Sequence, residues 1–206
     1  MPRKIGFIHS GSFYHLACLK DPFLHSFELV DLYLPEIEEK DIFACDSILI
    51  AGREHRGQFE RIIPFIIKFL ATPGKKLYVD GANDVGSWLP GTREEERPTN
   101  FWAWRTGEDT LRRNVNTDHW MWEYLNDDSV HWHFHGALFP PEGAVPWVIL
   151  EEENVNPFGS IIYYDDQTFE ADILVSTMDS CYHHGSGFMP GATQLLYRSI
   201  RWLSKD

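Results

Sequence analysis

DSILIAGREHRGQFERIIPFIIKFLATPGKKLYVD, residues Asp46–Asp80, decides the architecture. Asp46–Ala51 is an apolar run of buried-strand length, broken by Gly52. From Gln58 to Leu70, Phe59, Ile62, Ile63, Ile66, Ile67 and Leu70 recur at helical spacing. Pro64 predicts a bend in that helix, and Pro73-Gly74 ends it before Lys76–Asp80 opens another strand. Strand, amphipathic helix, strand is the grammar of a parallel pair joined by a crossover.

The same grammar extends in both directions. Upstream, Lys4–His9 reads as a short buried strand ending in the turn His9–Ser12, and Phe27–Leu34 as a second strand stopped by Pro35. Downstream, residues 84–117 lose the regular period and carry Trp88, Trp102 and Trp104, which predicts a long aromatic-rich insertion. A short helix is expected near Asp118–Leu125 with Asp118 as its cap. Strands are expected over Val130–Phe139, Val145–Glu151, Ser160–Tyr164 and Ile173–Thr177, and a closing amphipathic helix over Ala192–Leu203. The expectation is one α/β domain spanning 1–206, with a mostly parallel sheet and helices on both faces.

Of 206 residues, 43% are apolar and 15% aromatic, enough to build a core and to argue against disorder. The formal charge of −13 repels phosphate backbones and anionic headgroups, so neither nucleic acid nor a membrane is an expected partner. No apolar stretch reaches bilayer length, and the run after Lys4 is too short for a secretory signal. Cys18, Cys45 and Cys181 are odd in number and show no CxxC spacing, which fits free thiols in a reducing cytoplasm.

In an open parallel sheet, ligands bind beyond the carboxyl ends of the strands. His9 and Ser10 follow the first strand, and Arg53, His55 and Arg56 follow the third. Asp80, Asn83 and Asp84 follow the fourth, and Asp179, Cys181, His183 and His184 follow the last. Core strands do not require such residues at their ends, so their convergence predicts a site. Asp80, His55, His183 and His184 are the candidate acid–base groups. His9, Ser10, Arg53, Asn83, Asp84, Asp179 and Trp88 are the candidate ligand contacts.

LIAGREHRG followed by its helix, then KKLYVDGAND, then ILVSTMDSCYHHGSG leading into LLYRSIRWL, resembles the class I glutamine amidotransferase-like superfamily. Within it, the likeness is to the trehalose-utilisation (ThuA-like) branch. The resemblance implies a flavodoxin-like three-layer sandwich and a carbohydrate-derived ligand. In amidotransferases a cysteine occupies the turn after the central strand, paired with histidine after the last core strand. Here that turn reads Val79-Asp80-Gly81-Ala82-Asn83 and carries no nucleophile, so glutaminase chemistry is not expected. Cys181 beside His183 and His184 is the one place a relocated thiolate could sit; an ordinary loop thiol is the competing reading.

VHWHFHG (Val130–Gly136) is the remaining motif. On a strand, His131, His133 and His135 would share one face, with the outer Cα atoms about 13 Å apart. Three converging on one ion would strain a regular strand, so a zinc, iron or manganese site would use one adjacent pair and a distant ligand. His183, His184 and Asp80 are the candidates for that ligand. The alternative is a polar strand face backed by Trp132 and Phe134. Two functional expectations follow: a protein that binds a small polar, sugar-like ligand with acid–base or metal-assisted chemistry, or a non-catalytic binding or assembly domain. Homo-oligomerisation is compatible with either.

Overall fold

A computed structural model describes residues 2–81, 83–98 and 101–205, so Ala82 of the nucleophile-free turn and Thr99 and Asn100 of the insertion lie outside the described residues. The first half runs β1 (Lys4–His9), α1 (Phe13–Leu19), β2 (Glu28–Tyr33), α2 (Glu39–Phe43), β3 (Ser47–Ile50), α3 (Arg56–Leu70) and β4 (Lys76–Val79). The second half runs β5 (Arg93–Glu96), α4 (Ala103–Thr106), β6 (Arg112–Asn114), α5 (Asp127–Val130), β7 (Gly136–Phe139), β8 (Val145–Leu150), β9 (Gly159–Asp165), β10 (Asp172–Ser176), α6 (Ser180–Gly185) and α7 (Pro190–Leu203).

One sheet joins all of these strands in the order β2-β1-β3-β4-β10-β9-β7-β5, with β8 on β9 and β6 on β8. The run β2-β1-β3-β4-β10 is parallel. Every pairing beyond β10 is antiparallel. The protein is therefore α/β, and its sheet is mixed rather than mostly parallel. Chain length explains the change: only residues 166–171 separate β9 from β10, too few for the crossover that a parallel neighbour needs.

The strands of the parallel half alternate strictly between two cores. Ile5, Phe7, Leu49, Tyr78 and Leu174 face one, which α7 completes with Leu195, Leu196, Ile200 and Leu203. Ile8, Ile48, Ile50, Leu77, Val79, Ile173 and Val175 face the other, against Phe59, Ile62, Ile66 and Leu70 of α3. These side chains are essentially fully buried, each contributing roughly 1.5–3 kcal/mol of hydrophobic stabilisation. Pro64 sits inside α3.

Several local expectations change. The 84–117 insertion is not irregular: it holds β5, α4 and β6, and β5 extends the sheet by pairing with β7. The helix expected near Asp118–Leu125 is a 3-10 turn, Trp120–Glu123, capped by His119 rather than Asp118. The strand expected over Val130–Phe139 begins only at Gly136. Asn126 caps α5 by accepting from the Ser129 N–H at 3.0 Å, and Trp132 Nε1 donates to Ser129 O at 2.7 Å. Those bonds curl the chain through Val130, so residues 131–135 never join a strand ladder. Trp132 and Phe134 still enter the core, at 4% and 2% exposure.

The expected loop after the last strand is a short helix, α6. The six residues SCYHHG carry no apolar period, and the helix forms because its first amides find the buried carboxylate of Asp80. Among the described residues, no helix is long and apolar enough to cross a membrane.

Candidate functional site

A cleft of about 850 Å³ opens over the carboxyl ends of β3 and β4. Of the residues expected to contact a ligand, Arg53, Asn83, Asp84, Trp88 and Asp179 line it, and His135 joins Asp179 at one end. Arg53, Asn83 and Asp84 all have left-handed backbones, with φ of 65°, 50° and 54°. Non-glycine residues held this way cost of order 1–3 kcal/mol each and gather where a site overrides local preference.

Asn83 spends its side chain on this geometry. Its amide donates to Ala51 O at 2.8 Å and Asp80 O at 2.9 Å, and its carbonyl accepts from Glu54 N at 3.2 Å. Trp88 donates to Asn83 O at 3.0 Å and meets Phe59 edge-on, so it serves as a wall rather than an open stacking platform. Asp84 lies 3.6 Å from an Arg56 Nη.

Asp80 does not face the cleft. It is fully buried and accepts from Gly52 N (3.2 Å), Tyr78 OH (2.9 Å), Ser180 N (2.8 Å), Ser180 Oγ (2.5 Å) and Cys181 N (3.0 Å). Burial raises its carboxyl above the ordinary range, against the pull of the Ser180 and Cys181 donors. With its lone pairs occupied and no route for a substrate, its geometry is that of an anchor joining β3, β4 and α6, not a base. Cys181 is likewise sealed, and burial raises its thiol well above the ordinary range, so no thiolate forms there at neutral pH.

The other histidines divide. His9 donates from Nε2 to Asp31 at 2.7 Å and accepts the Gly11 amide at Nδ1, which uses both ring nitrogens. His184 is similarly occupied, Nδ1 with Thr193 Oγ1 at 2.9 Å and Nε2 near Asp21 at 3.3 Å. His55 stands exposed at the N-cap of α3. His131 turns outward to Asp127 at 3.5 Å and leaves the ligand set.

His133, His135 and His183 converge. One nitrogen from each lies within 4.8 Å of the others. Tetrahedral bonds of 2.0–2.1 Å would set that edge at roughly 3.3 Å, so modest ring rotations would close the site. Residues 131–135 can deliver two of the three because they do not form a regular strand. Asp179 Oδ1 sits 3.0 Å from His135 Nε2 and 3.1 Å from His183 Nε2, off the alignment of a good hydrogen bond. Its other oxygen accepts from Arg53 Nε at 2.7 Å. Burial alone would raise the Asp179 carboxyl, but the neighbouring His135 and His183 hold it well below the usual range. Burial, then the neighbouring His135, lowers His133 to about 4, so its imidazole is neutral at physiological pH, as a ligand must be.

The donor set fits a zinc-class ion: His183 is buried to 1% exposure, and neither of its ring nitrogens has an aligned hydrogen-bond partner among the described residues. Phe101 covers the cluster, its ring 4.9 Å from His133 and 5.5 Å from His183 and stacked on Phe188. Such an apolar cover limits water around a metal centre.

A second buried group had no sequence signal. Glu54 follows β3 beside Ser10, with its side chain only 1% exposed and His15 4.0 Å away. Neither carboxyl oxygen has an aligned partner among the described residues. His15 donates to Gly52 O at 2.9 Å. Burial raises Glu54 to about 8 and lowers His15 to about 4, so both are neutral at pH 7. Above its ordinary 4.5, the unfolded chain releases the Glu54 proton that the fold retains. The stability this residue contributes is therefore whole below pH 4.5 and lost as pH rises to about 8. Urea unfolding of the wild type should lose a few kcal/mol relative to Glu54→Gln across that window. Parallel stability curves for the two proteins would show that Glu54 is ionised in the fold.

No known protein-family profile matches the chain, and no curated protein does. Among solved structures, one titled "mmIFT52 N-terminal domain" superposes with a TM-score of 0.55 at 15% identity, covering 98% of each chain. At that identity the likeness is one of fold. The class that fold and cleft define is an α/β protein with a mixed sheet and a strand-end cleft that His135 and Asp179 connect to a cluster of three histidines.

Proposed function

We propose that this chain is a ThuA-like member of the class I glutamine amidotransferase-like superfamily that has no glutaminase chemistry. In this reading it binds a small polar, carbohydrate-derived ligand in the strand-end cleft beside a divalent metal held by His133, His135 and His183. The observation that carries the reading is the convergence of those imidazoles next to Asp179. The parallel strand order β2-β1-β3-β4-β10 supports the flavodoxin-like part, since it is the doubly wound order with its switch point between β1 and β3.

When bound, a zinc-class ion would polarise a ligand oxygen or acidify a coordinated water. The protein's own part is to hold His133 neutral, to keep Asp179 ionised beside the cluster, and to shield it under Phe101. Asp179, with one oxygen on Arg53 and the other facing His135 and His183, orients the cluster rather than acting as a base.

The test is metal content, measured on protein purified without a histidine tag. About one equivalent of zinc, iron or manganese is expected in the wild type and in His131→Ala, and less than a tenth of that in His133→Ala and His183→Ala. Equal metal in all four proteins, or none in any with the fold intact, would remove the metal from the reading. The cleft would then belong to a non-catalytic binding or assembly domain.

A further inference from the structure

Arg53 is the most constrained cation in the cleft. Its backbone is held at φ 65°, its Nε donates to Asp179 at 2.7 Å, and its guanidinium lies 3.7 Å above the centre of the Tyr182 ring. Salt bridge and ring stacking fix the plane of the fork. The side chain is still 44% exposed, and among the described residues its two Nη groups make no hydrogen bond. The other arginines lining the cleft are engaged differently: Arg56 with Glu60 and Asp84, and Arg93 with Glu95 and the Phe139 ring.

Asp179 links this fork to the histidine cluster, giving one oxygen to Arg53 and the other to His135 and His183. A group bridging the Nη edge and the cluster must therefore bear two acceptor oxygens, one for each side. A carboxylate supplies both, and its charge-assisted bonds to the Nη edge are stronger than those a neutral hydroxyl makes. Glu60, Asp84 and Glu96 also line the cleft and disfavour a dianion such as phosphate. They suit hydroxyl groups, which can donate to them.

We propose that the cleft selects a polyhydroxylated carboxylate, a sugar acid rather than a neutral sugar, with one carboxylate oxygen on the Arg53 Nη edge and the other on the histidine-bound metal. This extends the metal-site reading above and rests on it. Arg53 is the specificity-determining residue, and Asp179 and Tyr182 position it.

Cobalt(II)-loaded protein tests the inference, because its visible absorption reports ligand exchange at the metal. D-Gluconate and D-glucitol are the probes; they differ in a terminal carboxylate against a hydroxymethyl. Gluconate should shift the spectrum of the wild type, and glucitol at the same concentrations should not. Arg53→Gln should take up the same cobalt but need about tenfold to a hundredfold more gluconate. Should Arg53→Gln not fold, Arg53→Lys, which keeps the charge facing Asp179 and loses the fork, should weaken gluconate by about tenfold. Equal response to the two probes, an unchanged gluconate affinity in the Arg53 variant, or no response of cobalt-loaded protein to gluconate overturns the inference. Failure to take up cobalt would show itself first, as a missing spectrum, and would overturn the metal reading from which the inference extends.

Discussion

Gly185→Ala is expected to destabilise the protein by more than about 3 kcal/mol, enough to abolish folding if the native margin is small. Gly185 closes α6, where that helix crosses α1. A Cβ there would overlap the carbonyl oxygen of Tyr14 and stand 2.6 Å from its carbonyl carbon and Cα. Those are backbone atoms, so no side-chain rotation relieves the overlap, and the helices must separate. Separation would pull the Cys18 Sγ from the Cys181 carbonyl, now 3.3 Å away, and would shift α6, which carries His183. Gly57→Ala is the matched control: it lies in α3 with nothing nearer than 3.7 Å and should be neutral or stabilising by about 0.5 kcal/mol. Urea denaturation of both variants is the measurement. A Gly185→Ala midpoint within error of the wild type would mean that α1 and α6 tolerate a wider spacing than the structure shows.

Replacing Asp80 with alanine should cost about 3–5 kcal/mol, because it strands the buried donors of Gly52, Tyr78, Ser180 and Cys181 around an empty acceptor. Asp80→Asn should also destabilise, by roughly 2–3 kcal/mol, since its amide group would face N–H donors where the carboxylate accepts. A catalytic base would behave differently. Its replacement by asparagine would spare stability and remove function, so unchanged unfolding with lost ligand binding would refute the anchor.

Asp80 also shows how far the sequence can be read. Its place at the end of a strand, among other polar strand ends, marks the right region of the fold. What it does there depends on α6, a helix without an amphipathic signature that exists because the carboxylate of Asp80 receives its first amides. Asn83 and Trp88 follow the same pattern: they line the cleft as expected, but their polar atoms brace its wall. Arg53 and Asp179 were visible as candidates, but the left-handed backbone of the first and the shared oxygen of the second arise from long-range packing. Glu54 and His15 were illegible as a pair. They are 39 positions apart in sequence, and nothing local to either reports that both are buried.

The sequence by itself determined the α/β class, the crossover Asp46–Asp80, the two-faced strands and the strand ends as the region of interest. Those features rest on side-chain periodicity and on Gly and Pro, which act within a few residues. Tertiary structure alone decided the mixed sheet, because strand direction beyond β10 depends on which neighbours the short connections can reach. It also decided which histidines meet. His133 and His135 join His183 rather than His131 because the Asn126 cap and the Trp132–Ser129 bond bend the segment out of a strand. Burial of Trp132 and Phe134 then turns those imidazoles toward α6. Convergence of side chains some 50 residues apart is a property of packing, and no local pattern encodes it.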